Sequence, residues 1–144
     1  MIRATVVTRG GHRVRAHIRK ASRKGPKGLE VGFFEESKYP DGTYVANVAA
    51  YNNYGTDNIP ARPFLDQFSD ESPDLLRDYS AITPPVTDAV LTQMGSELQR
   101  GLQSTIREWT EPPNAQSTVD KKGFNDPLID TELMVNSVKF RIED

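Results

Sequence analysis

The chain has 144 residues, of which 36% are apolar, and its mean hydropathy of −0.59 marks a polar composition that can still bury a modest core. It has no cysteine, so disulfide bonds and cysteine-ligated zinc sites are excluded. No stretch approaches about 18 consecutive apolar residues, and no apolar run follows the basic N-terminal residues, so we expect neither a membrane span nor a secretory signal.

The net charge of −2 averages over two unlike parts. Residues 1–27 hold nine basic residues and no acidic one, whereas the rest of the chain holds nine basic and twenty acidic residues. We interpret 1–27 as a basic arm made of a strand and a helix, and 28–144 as an α+β core, within a single domain overall. Three partners remain open for this arm: the acidic remainder of its own chain, an acidic neighbouring subunit, or DNA phosphates. The candidate arm residues are Arg13, Arg15, Arg19, Lys20, Arg23 and Lys24.

The first third of the chain predicts two strands with a helix between them. Residues 2–7 are rich in β-branched residues and predict a strand, which Gly10-Gly11 ends. Residues 12–24 place Val14, Ile18 and Ala21 on one side of a predicted short helix. Alternating residues over 29–34 predict the second strand, and Pro40-Asp41-Gly42 predicts a turn.

The middle of the chain predicts a helix, a stiff loop and two helical turns. Residues 44–54 show three- and four-residue spacing, with Thr43 as a capping residue and Gly55 at the positive φ of a helix C-terminus, although a strand remains an alternative. Pro60 and Pro63 keep their preceding residues out of the helical region, so 56–63 is predicted to be a loop. Residues 64–68 and 74–79 are predicted to be short helical turns.

The longest periodic segment predicts a helix over 86–109. A strict four-residue step rotates by about 40° at 3.6 residues per turn, so the apolar stripe wraps around this helix and predicts packing against more than one element. The stripe consists of Val86, Val90, Met94, Leu98, Leu102, Ile106 and Trp109.

The last part of the chain predicts a long loop, a short helix and a closing strand. The loop covers 110–127 with a helical turn near 117–122, and the short helix ends at Asn136 with Asp130 or Thr131 as its cap. The strand at 138–143 places Val138, Phe140 and Ile142 on one face. The predicted fold class is therefore α+β: a small mixed or antiparallel sheet packed against one long helix, with extended loops or arms.

The sequence offers no constellation that predicts an enzyme. His12 and His17 are five residues apart with no acid nearby, and no phosphate-binding, dinucleotide-binding or nucleophile-elbow motif occurs. Asp126, Asp130 and Glu132 lack the alternation and central glycine of a calcium loop. We therefore expect no catalytic, cofactor or metal site. The informative stretches are 51–64 and 109–140, whose prolines stiffen loops for presentation to a partner, or simply cover the core.

Three stretches carry a family resemblance. "VAAYNNYGTDNIPARPFL" resembles the pattern VAxxNEFGTxxIPARPFLR of the neck, minor-tail or tail-completion proteins of tailed bacteriophages, and "VGFFEESKYPDGT" precedes it as in that family. "IREWTEPPNAQSTVDKKGFNDPLIDTELMVNSVKF" resembles the family's W..PPNAPSTIRRKGFDKPLIDTGxMxxSVxY. The chain departs from these patterns at Asn53, where an acid is usual, at Asp66, where an arginine is usual, and at Glu132, where glycine is usual.

The resemblance implies a structural virion protein without catalytic activity, made in the host bacterial cytoplasm and located in the neck or tail. It implies a homo-oligomeric ring, for which we favour six copies, between head-connector proteins and tail-terminator or tail-tube proteins. Passing contact with DNA is a further option, and no membrane is involved. The alternatives are a tail terminator that caps the tail tube and a DNA-binding protein that uses the basic arm.

Residue types that dominate protein–protein contacts define the candidate interface, with the core as the rival place for Tyr54 and Phe64. These candidates are Tyr51, Tyr54, Ile59, Arg62, Phe64, Trp109, Asn114, Lys121, Lys122 and Phe124.

Overall fold

The computed structural model describes residues 3–9, 13–22, 25–79, 86–109 and 132–143. These residues form a four-stranded antiparallel sheet whose spatial order follows the chain. Its strands are β1 (Arg3–Arg9), β2 (Arg13–Ser22), β3 (Gly25–Gly32) and β4 (Lys139–Glu143). The helices are α1 (Val45–Tyr54), α2 (Phe64–Leu75), α3 (Asp88–Arg107) and the single turn α4 (Leu133–Asn136), and a 3₁₀ turn covers Arg77–Tyr79. The predicted α+β fold is confirmed.

Strand β2 corrects the predicted helix of the basic arm. Val14 pairs with Val31 and Ala16 with Leu29 across the β2–β3 ladder, and all four side chains are buried. The alternating residues Arg13 and Arg15 project from the opposite face, as the two-residue period of a strand requires. The basic segment is therefore built into the same sheet as β3 and β4.

Helices α2 and α3 cover the face of the sheet that carries Val14, Ala16, Leu29 and Val31. On α3 the predicted stripe is buried from Met94 to Ile106, and the helix contacts α2, β3, β4 and α4, as its wrapping stripe predicted. A Cβ added at Gly95 would come within 2.2–2.7 Å of ring carbons of Phe140 on β4. Glycine at this position thus lets α3 approach the edge of the sheet.

Several local predictions need correction. The two turns predicted within 64–79 merge into the longer helix α2, followed by the 3₁₀ turn. The residue preceding α1 is Tyr44, and no side chain caps this helix, so Thr43 is not its cap. Glu132 precedes α4 in the left-handed region at φ 60°, which is the geometry that the glycine of the resembled pattern would favour. Ile142 on β4 is exposed, unlike the buried Val138. The predicted turn at 117–122 and the capping residues Asp130 and Thr131 lie outside the described residues.

Candidate interaction surface

The loop from Gly55 to Pro63 is held by local hydrogen bonds. The Gly55 N–H closes helix α1 by donating to the Tyr51 carbonyl at 2.8 Å, and Gly55 has φ 79°. The Thr56 hydroxyl oxygen accepts the N–H groups of Asn58 at 3.2 Å and Ile59 at 3.0 Å. The Thr56 N–H donates to the Ile59 carbonyl at 2.8 Å. This loop is therefore a closed turn with a fixed shape.

Asn52 joins the end of this loop to helix α1. Its carbonyl accepts the Arg62 N–H at 2.6 Å, and its side-chain amide donates to the Val48 carbonyl at 2.9 Å. The Arg62 guanidinium reaches the Asn52 side-chain oxygen at 3.5 Å and keeps only 5% of its exposure. Burial lowers the pKa of Arg62 below its ordinary value. Arg62 thus holds the loop against α1 from inside the protein, so its prediction as a surface contact is wrong.

Asn53 joins helix α1 to helix α2. Its buried side-chain oxygen accepts the N–H groups of Leu65 at 3.0 Å and Asp66 at 3.3 Å, which are free donors of the first turn of α2. Its amide nitrogen donates to the Asp66 carboxylate at 3.1 Å. A residue from a neighbouring helix thus does what a capping side chain usually does, since the residue before α2 is Pro63, which makes no side-chain cap.

The outward face of α1 is aromatic. Val45, Ala49 and Asn53 are buried at four-residue spacing, so this line of residues fixes the inward face of the helix. Tyr44, Tyr51 and Tyr54 lie on the other side and are 40%, 46% and 58% exposed. We call these three residues the tyrosine face. Large, stiff side chains with a polar tip are typical of protein contact surfaces.

The turn preceding α1 extends this surface. The Gly42 N–H donates to the Tyr39 carbonyl at 2.9 Å, and Gly42 has φ 90°, so the turn predicted from Pro40-Asp41-Gly42 is present. The Asp41 carboxylate accepts the Thr43 N–H at 2.9 Å, and this hydrogen bond lowers the pKa of Asp41 below its ordinary value. The Lys38 ammonium lies 4.8 Å from the ring centre of Tyr44.

An open pocket of about 470 Å³ lies at the start of α1. It is lined by one arginine, one acid, two aromatic residues and two small or polar residues of α1. The lining residues are Arg13, Phe33, Glu35, Tyr44, Ala46 and Asn47.

The remaining candidate residues divide into three groups. Phe64 is fully buried and packs edge-to-face on Phe33, with ring centres 6.3 Å apart, so it belongs to the core and its prediction as a contact is wrong. Ile59 and Trp109 are half-buried, and Trp109 packs against the core. The other four candidates lie outside the described residues: Asn114, Lys121, Lys122 and Phe124.

Described arginines of the basic segment contact acids of their own chain. Arg13 donates to Glu30 at 3.0 Å, and Arg15 donates to Glu143 at 2.9 Å. The guanidinium groups of Arg13 and Arg141 lie over the ring of Phe34, 5.1 Å and 4.0 Å from its centre. This arrangement agrees with the interpretation that the segment folds against its own acidic chain. Arg19 and Lys20 are part of β2, whereas Arg23 and Lys24 lie outside the described residues.

Within the described ranges, no group of three or more His, Cys, Asp or Glu residues is placed to hold a metal ion. No helix in the same ranges combines the length and apolar character needed to cross a membrane. Comparison of the chain with family models, with curated proteins and with solved structures gives no significant match.

Sequence reasoning missed the two asparagines that build the joint between α1 and α2. It treated Asn52 as one position of the helical pattern and Asn53 as a departure from the resembled motif. The available signal was composition, since adjacent asparagines at the end of a helix often bond to nearby backbone groups.

Proposed function

We propose that this protein is a structural ring subunit of a tailed bacteriophage, placed at the head–tail interface as a neck or tail-completion protein. It works by binding copies of itself and neighbouring virion proteins, and it makes or breaks no covalent bond. The proposal rests on the three motif resemblances and on the geometry of residues 45–66.

The observation that carries the proposal is the tyrosine face on a rigid support. Tyr51 and Tyr54 point outward from α1, while the neighbouring residues Asn52 and Asn53 tie the same helix turn to the loop and to α2. A contact surface that is already ordered loses little conformational entropy on binding. An ordered surface of this kind suits a ring subunit, which must bind its neighbours in one fixed orientation.

Two departures from the resembled pattern lie in contact with each other. The pattern has an acid at position 53 and an arginine at position 66, which would form an ion pair. This chain has Asn53 and Asp66 there, and the amide of Asn53 donates to the Asp66 carboxylate at 3.1 Å. The paired change keeps a bond between α1 and α2 at the same place.

The DNA-binding alternative receives less support. Arg13 and Arg15 are engaged by Glu30 and Glu143, and these internal pairs would compete with phosphates. The tail-terminator alternative predicts a ring subunit too, and it differs in the neighbour that the ring contacts.

The test is complementation of phage particles that lack this chain. We expect particles without it to contain full heads and separate tails, and the wild-type chain to restore joined particles. Tyr51→Ser/Tyr54→Ser should fold yet restore joining at least about tenfold less well, because two aromatic contacts are removed. Arg100→Ser/Arg107→Ser is the matched control, since both residues are exposed on α3, away from the tyrosine face, and this variant should restore joining fully.

Electron microscopy of the particles separates the outcomes. Separate tails of normal length support a neck or completion role, whereas tails of irregular length would support the tail terminator instead. Normal joined particles in the absence of the chain would overturn the proposal, as would turnover of a substrate by the purified protein.

A further inference from the structure

The sheet has a second face, which lies opposite the face covered by α2 and α3. Arg13 and Arg15 of β2 and Arg141 of β4 project from it, as their alternation with the buried Val14 and Ala16 and the half-buried Phe140 requires. Lys139, two positions from Arg141, shares this face and is exposed. By strand register, positions 3, 9 and 19 also belong to it, because Arg3 pairs with Arg19 and Arg9 pairs with Arg13.

This second face carries a surplus of positive charge, and we call it the basic face. Seven of its positions are Arg or Lys, and two, Glu30 and Glu143, are acidic. These two acids bond to Arg13 and Arg15, and Arg141 bonds to Glu36, so the surplus comes from positions 3, 9, 19 and 139.

Helix α2 presents the opposite charge. It contains four acidic residues and no basic one, and Asp66, Asp70 and Asp74 follow one another at four-residue spacing on its outward side. Like charges at this spacing repel each other along a helix. Asp70, Glu71 and Asp74 are exposed, and Arg77 pairs with Asp74. We call the side of α2 that carries Asp66, Asp70, Glu71 and Asp74 the acidic face.

The two faces of one molecule cannot neutralise each other. Helix α2 packs its buried residues Phe64, Leu65 and Phe68 onto the far side of the sheet, so its acids point away from the basic face. The two faces can therefore pair with each other only when they belong to different molecules.

We propose that the basic face of one copy docks on the acidic face of α2 of the next copy. This contact joins two different patches, so it is heterologous and can close a ring. The inference deepens the proposed function and rests on it, since it names the surfaces through which ring subunits meet. Because exposed charges are screened over about 8–10 Å at 0.1–0.15 M salt, the association weakens as salt is added.

Two charge-reversed variants test this contact. The basic-face variant is Arg19→Glu/Lys139→Glu, and the acidic-face variant is Asp70→Lys/Glu71→Lys. Each alone places like charges opposite each other and should self-associate at least about tenfold more weakly than the wild-type chain. An equimolar mixture should associate again, since the reversed sheet of one variant then meets the reversed helix of the other.

The matched control is Arg100→Glu/Arg107→Glu, which reverses two exposed basic residues of α3 outside both faces. This control should associate like the wild-type chain, because it leaves both the basic face and the acidic face unchanged. Sedimentation velocity of the full chain at low and high salt measures each association, and circular dichroism confirms that each variant is folded. Recovery in the mixture also shows that both variants are folded.

Three results would overturn the contact: a wild-type chain that stays monomeric at low salt, single variants that associate normally, or a mixture that stays dissociated. Salt-sensitive retention of the wild-type chain on duplex DNA, lost in the basic-face variant while self-association is kept, would assign that face to nucleic acid instead. The proposed function fails separately, when particles without the chain join normally. If particles need the chain and both single variants restore joining, the function stands and this contact falls.

Discussion

Exchange of the two side chains that join α1 to α2 gives the sharpest test of the described geometry. Asn53→Asp keeps the shape of the side chain and its acceptor role toward the Leu65 and Asp66 N–H groups, at 3.0 and 3.3 Å. It removes the amide donor, which in the wild-type chain bonds to the Asp66 carboxylate at 3.1 Å, and places a second carboxylate against Asp66. Asp66→Asn changes a charge-assisted bond into a neutral one. The double variant restores a donor and a carboxylate with their places exchanged.

The expected energies follow from charge and distance. Two carboxylates about 4 Å apart repel by roughly 4 kcal/mol at an effective dielectric constant of about 20. The helix dipole at the N-terminus of α2 stabilises an added negative charge by about 0.5–1 kcal/mol. Asn53→Asp should therefore lower the free energy of unfolding by about 2–3 kcal/mol at pH 7 after relaxation. Asp66→Asn should cost about 0.5–1 kcal/mol, and the double variant should lie within about 1 kcal/mol of wild type.

The pH dependence of Asn53→Asp has a definite sign. Mutual repulsion raises the pKa of the carboxylate pair in the folded state, so the folded chain binds more protons than the unfolded chain between the unfolded and folded pKa values. Stability of the variant relative to wild type should therefore increase as pH falls from 7 toward 5. Urea unfolding followed by the fluorescence of Trp109, the one tryptophan of the chain, measures both effects. A coupling energy below about 0.5 kcal/mol between Asn53→Asp and Asp66→Asn would refute the hydrogen bond between these two side chains.

Three further predictions use matched pairs of sites. Gly95→Ala should lower the free energy of unfolding by about 1–2 kcal/mol because the added Cβ meets the ring of Phe140, and Gly95→Ala/Phe140→Leu should recover part of this loss. The added Cβ of Gly101→Ala meets only the flexible tip of Leu75 within 3.0 Å, so this variant should be neutral or stabilising by up to about 1 kcal/mol. Equal effects of the two substitutions in urea unfolding would contradict this packing. Gly55→Ala and Gly42→Ala both place alanine at a positive φ, 79° and 90°, but only at Gly55 does the added Cβ come within 2.9 Å of a backbone atom, the Ala61 nitrogen. Gly55→Ala should therefore have the lower melting temperature in thermal unfolding. The reverse order would refute the close approach at Gly55. The hydrogen bond from Thr43 lowers the pKa of Asp41, so this bond should be complete above the ordinary aspartate pKa and should be lost as the pH falls through the lowered pKa. A pH titration of the Thr43 amide by NMR measures this loss. An Asp41 that titrates at or above the ordinary aspartate pKa would contradict the prediction.

Elements governed by local signals were predictable from the sequence. The spacing of Val45 and Ala49 with Gly55 behind them located α1 within a residue, and Gly55 has the positive φ that its position implied. The long stripe located α3, since seven apolar positions leave little choice of period. The turn at 40–42 followed from the residues that such a turn requires.

Elements governed by tertiary contacts were not predictable in the same way. In 13–18 the apolar residues Val14, Ala16 and Ile18 fit a two-residue period, whereas Val14 and Ile18 alone also fit a helix. Pairing with β3, which buries Val14 against Val31, decides in favour of the strand. The role of Asn53 depends on a helix that starts eleven residues later, so no local pattern can show it.

The candidate interface divides into exposed residues that we propose bind a partner and buried residues that hold them in place. Arg62 and Phe64 are interface-type residues by composition, yet both are buried, and Arg62 bonds to Asn52 beside Tyr51. Their removal would therefore act on binding through the orientation of α1 and would lower stability first, whereas removal of Tyr51 or Tyr54 would weaken binding in a chain that stays folded. Under the proposed function, the motif "YNNYGTDNIPARPF" combines two tasks: its buried residues hold α1 in place, and Tyr51 and Tyr54 bind another protein surface.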